Sequence, residues 1–459
     1  MTSEIKAIEK STSKYLKAPR ERTLFYRCAI LYIFALYVLP QYFGIPFPIF
    51  DFTAVRITIV ILLLFIVFDY DRTNMFVNII KNEPMSRVLL SYIIVLLYTM
   101  VLRTDINAFL NPIIEILELY LLIYVIKDCI GVDKLVELII GFCYLLVILG
   151  LVEAVIKVSP FSYLETIKGI YTGRFIRAGH YRIMSSANHS LGYGLMLMTM
   201  LPFAGYDVEK KEFRIFRRPL LLVGLLINVF LTGSRSSLGI MFFALAMMIA
   251  MTDAKYLRES VVITILLILG FVALCIVLQP TSFGRYIMLQ LTSLIDSLFG
   301  TSISVKYGAD IVHLKQSANY RHFLKEIFKI DWLNPLLGKG RQGSFSCEID
   351  GYVIRSIDNF YIAEYVRYAY QGMLSYIAFL AFFGIKMLID IYKTKSSLIK
   401  VLFIGSVSYC AHLYIADSLQ TLKYLYFLFA IYICCEKKAY VKIGNNEYFG
   451  KKKLRYIKK

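Results

Sequence analysis

Apolar stretches that reach, or nearly reach, the length needed to cross about 30 Å of hydrocarbon as helices recur twelve times along the chain. They lie near Leu24 to Pro40, Phe52 to Phe68, Val88 to Leu102, Leu110 to Ile126, Leu135 to Ile156, Ser190 to Phe203, Pro219 to Leu231, Leu238 to Met251, Val261 to Leu278, Ala369 to Ile391, Leu398 to Ile415 and Leu422 to Cys435. The sixth, seventh and eighth are short and contain glycine, which leaves the number of crossings open by one or two. A polar insert of roughly 75 residues, Pro280 to Arg355, interrupts the series. Inside it, Ser317 to Ile330 has helical spacing, with Phe323, Ile327 and Phe328 on one side, and Trp332-Leu333-Asn334-Pro335 reads as a stop. A glycine-rich turn, Leu337 to Phe345, follows. After the insert, Asp358-Asn359 opens an amphipathic run to Tyr370, and either residue suits a helix cap there.

The chain has 459 residues, 58% of them hydrophobic, and one Trp. Its mean hydropathy is +0.63. Soluble domains sit near 45–50% apolar, so the pattern predicts an all-α integral membrane protein. It has about 12 transmembrane helices and one large, partly helical extracytoplasmic loop. The expected division is a cytoplasmic tail 1–23, nine spans within 24–279 that include a basic outer loop 157–187, the large outer loop 280–368, three spans within 369–435, and a basic tail 436–459.

A net charge of +19 would suggest nucleic acid in a soluble protein. Here the basic residues sort by side, as the positive-inside rule requires, and no nucleic-acid partner is expected. Lys6, Lys10, Lys14, Lys17, Arg20 and Arg22, the loop Lys210 to Arg218, and the tail Lys451 to Lys459 fall on one side. The opposite connections Gln41 to Asp51 and Ala416 to Gln420 carry no Lys or Arg. Both termini are therefore expected inside, with the first span uncleaved, because the polar tail precedes an apolar run without a small-residue cleavage site. Of the eight cysteines, Cys347 alone falls clearly in the outer insert, so no outer disulfide framework is available.

Two outer segments break the charge rule. Lys168, Arg174, Arg177 and Arg182 face one acid, Glu165, in the loop 157–187, and a basic outer loop calls for an anionic partner. The insert interleaves nine Lys and Arg with Tyr286, Tyr307, Tyr320, Trp332 and Tyr352. Long loops translocate regardless of charge. Aromatic faces and arginine forks suit sugars and diphosphates, although an ordinary solvated surface has the same composition. Gly338-Lys339-Gly340 lacks the strand, helix and spacing of a phosphate-binding fingerprint. Asp69-Tyr70-Asp71 falls on the inner side and reads as a solvated loop. Glu115, Glu118 and Glu153 lie inside expected spans, where ionisable groups are functional suspects. Glu115 and Glu118 share a helix face, and Arg56 or Arg103 could pair with them; a proton relay in a transporter is the other reading.

In order and placement, four motifs over most of Phe175 to Gly372 resemble the O-antigen polymerase and O-antigen ligase superfamily of bacterial membrane glycosyltransferases. They are Arg182 with His189-Ser190 seven residues on, the break Thr232-Gly233-Ser234-Arg235-Ser236, Arg321 with Asn334-Pro335, Gly338-Lys339-Gly340 and Phe345, and Asp358-Asn359 followed after nine residues by Ala369-Tyr370-Gln371-Gly372. The family carries His where this chain has Asp358, and Pro where it has Ser190. The ligases are thought to use that His, so the substitution favours polymerases.

The resemblance implies a GT-C-like bundle in the bacterial cytoplasmic membrane with its site on the outer face. The implied reaction is inverting transfer between undecaprenyl-diphosphate-linked repeat units, donor and acceptor, without metal or other cofactor. A flippase and a chain-length regulator are the implied partners. Arg182 and Arg235 would clamp the diphosphate, with Arg177, Arg174, Arg321 and Arg341 assisting. Asp358 would be the general base, and His189, Glu348 and Asp350 are its rivals. The competing readings are an O-antigen ligase and a lipid-linked oligosaccharide flippase, although carriers usually show two repeated halves and no repeat is evident here.

Overall fold

The computed structural model describes residues 24–47, 51–171, 173, 175–177, 180–309, 320, 323–341, 343, 345–349, 352–354, 356–417 and 421–441. Among the described residues the chain is built of α-helices joined by loops that carry four two-stranded antiparallel hairpins. In chain order the helices are α1 Leu24–Tyr37, α2 Ala54–Val67, α3 Tyr70–Asn82, α4 Pro84–Arg103, α5 Ile106–Val125, α6 Val132–Ile156 and α7 Ser190–Met200. They continue as α8 Pro219–Leu231, α9 Arg235–Met251, α10 Ala254–Leu278, α11 Ser282–Phe299, α12 Phe360–Thr394, α13 Ser397–Leu413 and α14 Leu422–Val441.

Among the described residues, five helices are long and apolar enough to cross a membrane: α4, α5 with its π-turn to Ile130, α6, α10 and α12. Seven shorter ones are apolar: α1, α2, α7 with the turn to Gly205, α8, α9, α13 and the first part of α14. The protein is thus a helical membrane protein. Without a hydrophobic force between helices in lipid, packing and interhelical hydrogen bonds hold such a bundle. Tyr193 on α7 donates to Asn228 Oδ1 on α8 at 2.9 Å, and Asn228 Nδ2 donates to the Val147 carbonyl on α6 at 3.3 Å. Stacked rings of Phe383 and Phe429, 3.9 Å apart, join α12 to α14.

The connections gather at two ends. At one, Phe213 N–H and Lys400 Nζ both reach Asp253, at 2.7 and 2.6 Å, and Lys211 pairs with Asp133 at 2.6 Å. Lys127 pairs with Glu83 there as well. At the other, Thr166 bonds the Gly44 carbonyl at 2.6 Å, Arg103 bonds the Leu337 and Gly338 carbonyls, and Asn359 bonds the Tyr414 carbonyl at 2.9 Å. This second end holds the loop 157–189, the 232–234 break, the insert and the start of α12.

Several details differ from the sequence expectation. The insert does not begin as a polar loop at Pro280, because Ser282–Phe299 forms the amphipathic helix α11, capped by Thr281 and packed on α9 and α10. Asp69 is a helix cap, accepting from Arg72 N at 3.2 Å, so Asp69-Tyr70-Asp71 opens α3. Arg103 engages carbonyls of the insert rather than Glu115 or Glu118, whereas Arg56 does lie in their electrostatic reach.

The long helix α12 is broken at Tyr368 and Ala369, whose φ, ψ of 59°, −166° is a conformation favoured only by glycine. A break exposes carbonyls that need donors. Lys339 N–H bonds the Val366 carbonyl at 2.7 Å and Gly340 N–H the Arg367 carbonyl at 2.9 Å. A Cβ on Gly338 would lie 2.3 Å from the Arg367 carbonyl oxygen. The glycines therefore serve a backbone-to-backbone seam, which accounts for the turn without a phosphate. Gly338→Ala is expected to destabilise the protein by about 1–3 kcal/mol, the usual penalty of overpacking, read as a lowered unfolding temperature in detergent.

Candidate active site

The site is built from the loop 157–189 upward. Glu153, fully buried in the last turn of α6, receives Tyr181 OH at 2.8 Å and Met184 N–H at 2.9 Å on Oε1, and Ser185 N–H at 2.7 Å on Oε2. The intramembrane carboxylate that drew suspicion thus anchors the basic loop to the bundle. The loop then runs along the end of α8, where Ile183 N–H bonds the Leu231 carbonyl at 3.2 Å.

Arg182 comes next. Its Nε donates to the Thr232 carbonyl at 2.5 Å, its guanidinium lies 4.9 Å from the centre of the Phe175 ring, and it is only 3% exposed. Gly233, at φ 59°, makes room: a Cβ there would sit 3.1 Å from Arg182 Cγ. Ser234 caps α9 by accepting from Ser237 N–H at 3.2 Å. Arg235 occupies the first position of α9 and donates to Ser297 on α11 at 2.8 Å. Beneath this turn Ser237 Oγ meets His412 Nε2 at 3.3 Å.

His189 caps α7 through Nδ1, which accepts from Leu191 N–H at 3.1 Å, and its ring stands edge-on to Phe175 at 4.8 Å. Burial, then the Arg182 charge, pushes its pKa down to about 4, against the opposing pull of Asp358. A neutral ring that accepts at Nδ1 carries its hydrogen on Nε2, so His189 presents a donor rather than a base. Asp358 is half-buried, and its Oδ1 accepts from Ser356 Oγ at 3.0 Å. The cap of α12 belongs to Asn359, whose Oδ1 takes Ile362 N–H at 3.0 Å, so Asp358 is not consumed by capping.

The lowered His189 value sets a pH dependence. A histidine that is harder to protonate folded than unfolded contributes stability that is complete above about pH 6.5 and lost as pH falls toward about 4. The unfolding temperature is expected to drop across that window. His189→Asn, which keeps a capping side chain but does not titrate, is expected to flatten part of the drop.

Beside the site lies a buried charge network. Glu364, 1% exposed, receives Tyr92 OH at 2.8 Å and pairs with Arg367 at 3.1 Å. Arg367 in turn pairs with Asp417 at 2.5 Å, and burial, opposed by Arg367, raises the Asp417 pKa. Arg341 belongs here. Its backbone N–H bonds Asp105 at 2.6 Å and its Nε bonds Tyr368 OH at 2.9 Å. Burial alone would lower its pKa, but Tyr368, Glu115 and Glu364 raise it instead. Arg341 is thus engaged by Asp105 and Tyr368, at the edge of this network, rather than placed beside Arg182. Removing one member of such a network leaves a charge uncompensated.

Arg182, His189, Asp358 and the 232–235 break are thus brought to one end of the bundle. Arg177 lies on the hairpin strand Ile176–Arg177, paired with His180. Arg174, Arg321 and Asp350 lie outside the described residues. Glu348 is exposed on the strand Cys347–Ile349, which pairs with Tyr352–Ile354 in the insert. Sequence reasoning missed Glu364, Arg367, Asp417 and His412. The spacing of Glu364 and Arg367, one turn apart on an amphipathic run, was the available signal. No family model matches the chain, and no curated protein matches it significantly.

Proposed function

We propose that the protein is a membrane glycosyltransferase that polymerises surface polysaccharide. It joins lipid-diphosphate-linked oligosaccharide repeat units on the outer face of a bacterial cytoplasmic membrane. The chain crosses twelve times, by the five long and seven shorter apolar helices, and the end carrying Arg182 faces outward. The observation that carries the reading is that Arg182 and His189 lie against one ring, Phe175, at 4.9 and 4.8 Å, with Asp358 in electrostatic reach of His189, so a fixed cation, a neutral donor and a carboxylate share one end of the bundle.

In an inverting transfer the acceptor hydroxyl attacks the anomeric carbon, the bond to diphosphate breaks, and the hydroxyl proton leaves to a base. Asp358 takes that proton. Negative charge grows on the departing diphosphate, and the Arg182 and Arg235 guanidinium groups, beside the amino-terminal end of α9, favour that charge. A buried cation acts strongly because little water screens it. His189 Nε2–H orients a sugar or phosphate oxygen.

The test in cells is deletion of the gene followed by analysis of the surface glycan. A polymerase mutant displays single repeat units. Long chains retained on the lipid carrier would indicate a ligase, and units trapped inside would indicate a flippase; either result overturns the proposal.

A further inference from the structure

The chain's single tryptophan, Trp332, is 59% exposed on the insert, and Leu336 nearby is 66% exposed. Between them Leu333 turns inward onto a small core with Leu324, Ile327 and Tyr365. Asn334 Oδ1 accepts the N–H groups of Leu336 and Leu337 at 2.8 and 3.1 Å, a tight side-chain-closed turn.

This turn is fastened to the outside of a membrane helix. Tyr98 OH donates to the Leu336 carbonyl at 3.0 Å, and Arg103 holds the Leu337 and Gly338 carbonyls at 3.0 and 2.8 Å. On α4, Tyr98 falls four residues after Ile94 and four before Leu102, both exposed, as are Leu90, Leu97 and Val101. That stripe faces away from the bundle, toward hydrocarbon. Tyr98 lies five residues before the end of α4, about 7 Å down at 1.5 Å per residue. Interfacial apolar elements sit about 5–10 Å deep, and Trp and Tyr concentrate at that level.

We propose that the Trp332–Leu336 turn is embedded in the headgroup region of the bilayer, continuous with the lipid-facing stripe of α4, and pins the insert to the membrane surface. The partner is the lipid interface itself. A sugar-stacking platform is the rival use of an exposed tryptophan, but the turn is tied to the outward side of α4 rather than to Arg182 or Asp358.

The lone tryptophan makes the test direct. Full-length protein would be placed in bilayers of lipids brominated near the glycerol, at mid-chain or at the chain end, and its emission compared with that under iodide in the water phase. Trp332→Phe should abolish the signal and confirm its source. The expected result is strongest loss of emission with bromine near the glycerol, weaker loss with deeper bromine, and little loss with iodide. Strong quenching by iodide without quenching by bromine at any depth would overturn the proposal. So would an emission that ignores bromine and responds only to added lipid-linked glycan, which would identify a sugar platform.

Discussion

Arg182→Ala is expected to lower the rate of repeat-unit joining by about 10²–10³-fold, the usual loss when one preorganised charge-stabilising donor is removed. Burial sets the size of this loss. The guanidinium is 3% exposed, with Nε fixed on the Thr232 carbonyl and its plane near Phe175. It needs no reorganisation as diphosphate charge develops, so the loss should fall on kcat more than on KM. Arg182 also ties the basic loop to the end of α8, and its removal leaves the Thr232 carbonyl without that donor. Arg182→Lys separates the two roles, because lysine keeps the charge but not the planar fork. If charge dominates, lysine restores a large part of kcat while the unfolding temperature stays near that of the alanine variant. Recovery of stability without recovery of rate would assign Arg182 a purely structural role.

Asp358→Asn is expected to reduce kcat by about 10²–10⁴-fold, the range for loss of a general base, with substrate affinity and unfolding temperature nearly unchanged. The substitution is nearly isosteric. Asn359 carries the cap of α12 and the bond to Tyr414, so the helix start survives. The asparagine can still accept from Ser356. Steady-state rates on the purified variant check the prediction, and a near-normal kcat would move the base to another group. His189 is a poor substitute, since protonating it at Nδ1 breaks its bond from Leu191 N–H.

Much of the bundle was legible because the membrane demands continuous apolar segments, and those segments stand out in the chain. Helix α11 was not, because Arg285, Gln290 and Asp296 interrupt the apolar run of Ser282–Phe299, and its apolar side is covered only once α9 and α10 are in place. The break at Ala369 was equally hidden. Alanine carries no turn signal, and its left-handed backbone is held by the Lys339 and Gly340 amides some 30 residues away. Glu153 was visible as an intramembrane carboxylate, but its partners Met184 and Ser185 are backbone amides of a distant loop that no composition reveals. The motif around Arg182, His189 and Asp358 could be read in order along the chain. The contacts of Arg341 with Asp105 and Tyr368 could not, because only the fold brings those residues near.

The central claim is polymerisation at the Arg182 and Asp358 end of the bundle. The most direct measurement is incubation of the purified, reconstituted protein with the host's lipid-diphosphate-linked repeat unit alone, followed by separation of the products by size. The account predicts a ladder of glycans rising by one repeat unit per step, lost in Arg182→Ala and Asp358→Asn proteins that remain folded. A folded wild-type protein that yields no ladder, or that moves glycan only onto an added non-prenyl acceptor, would contradict it.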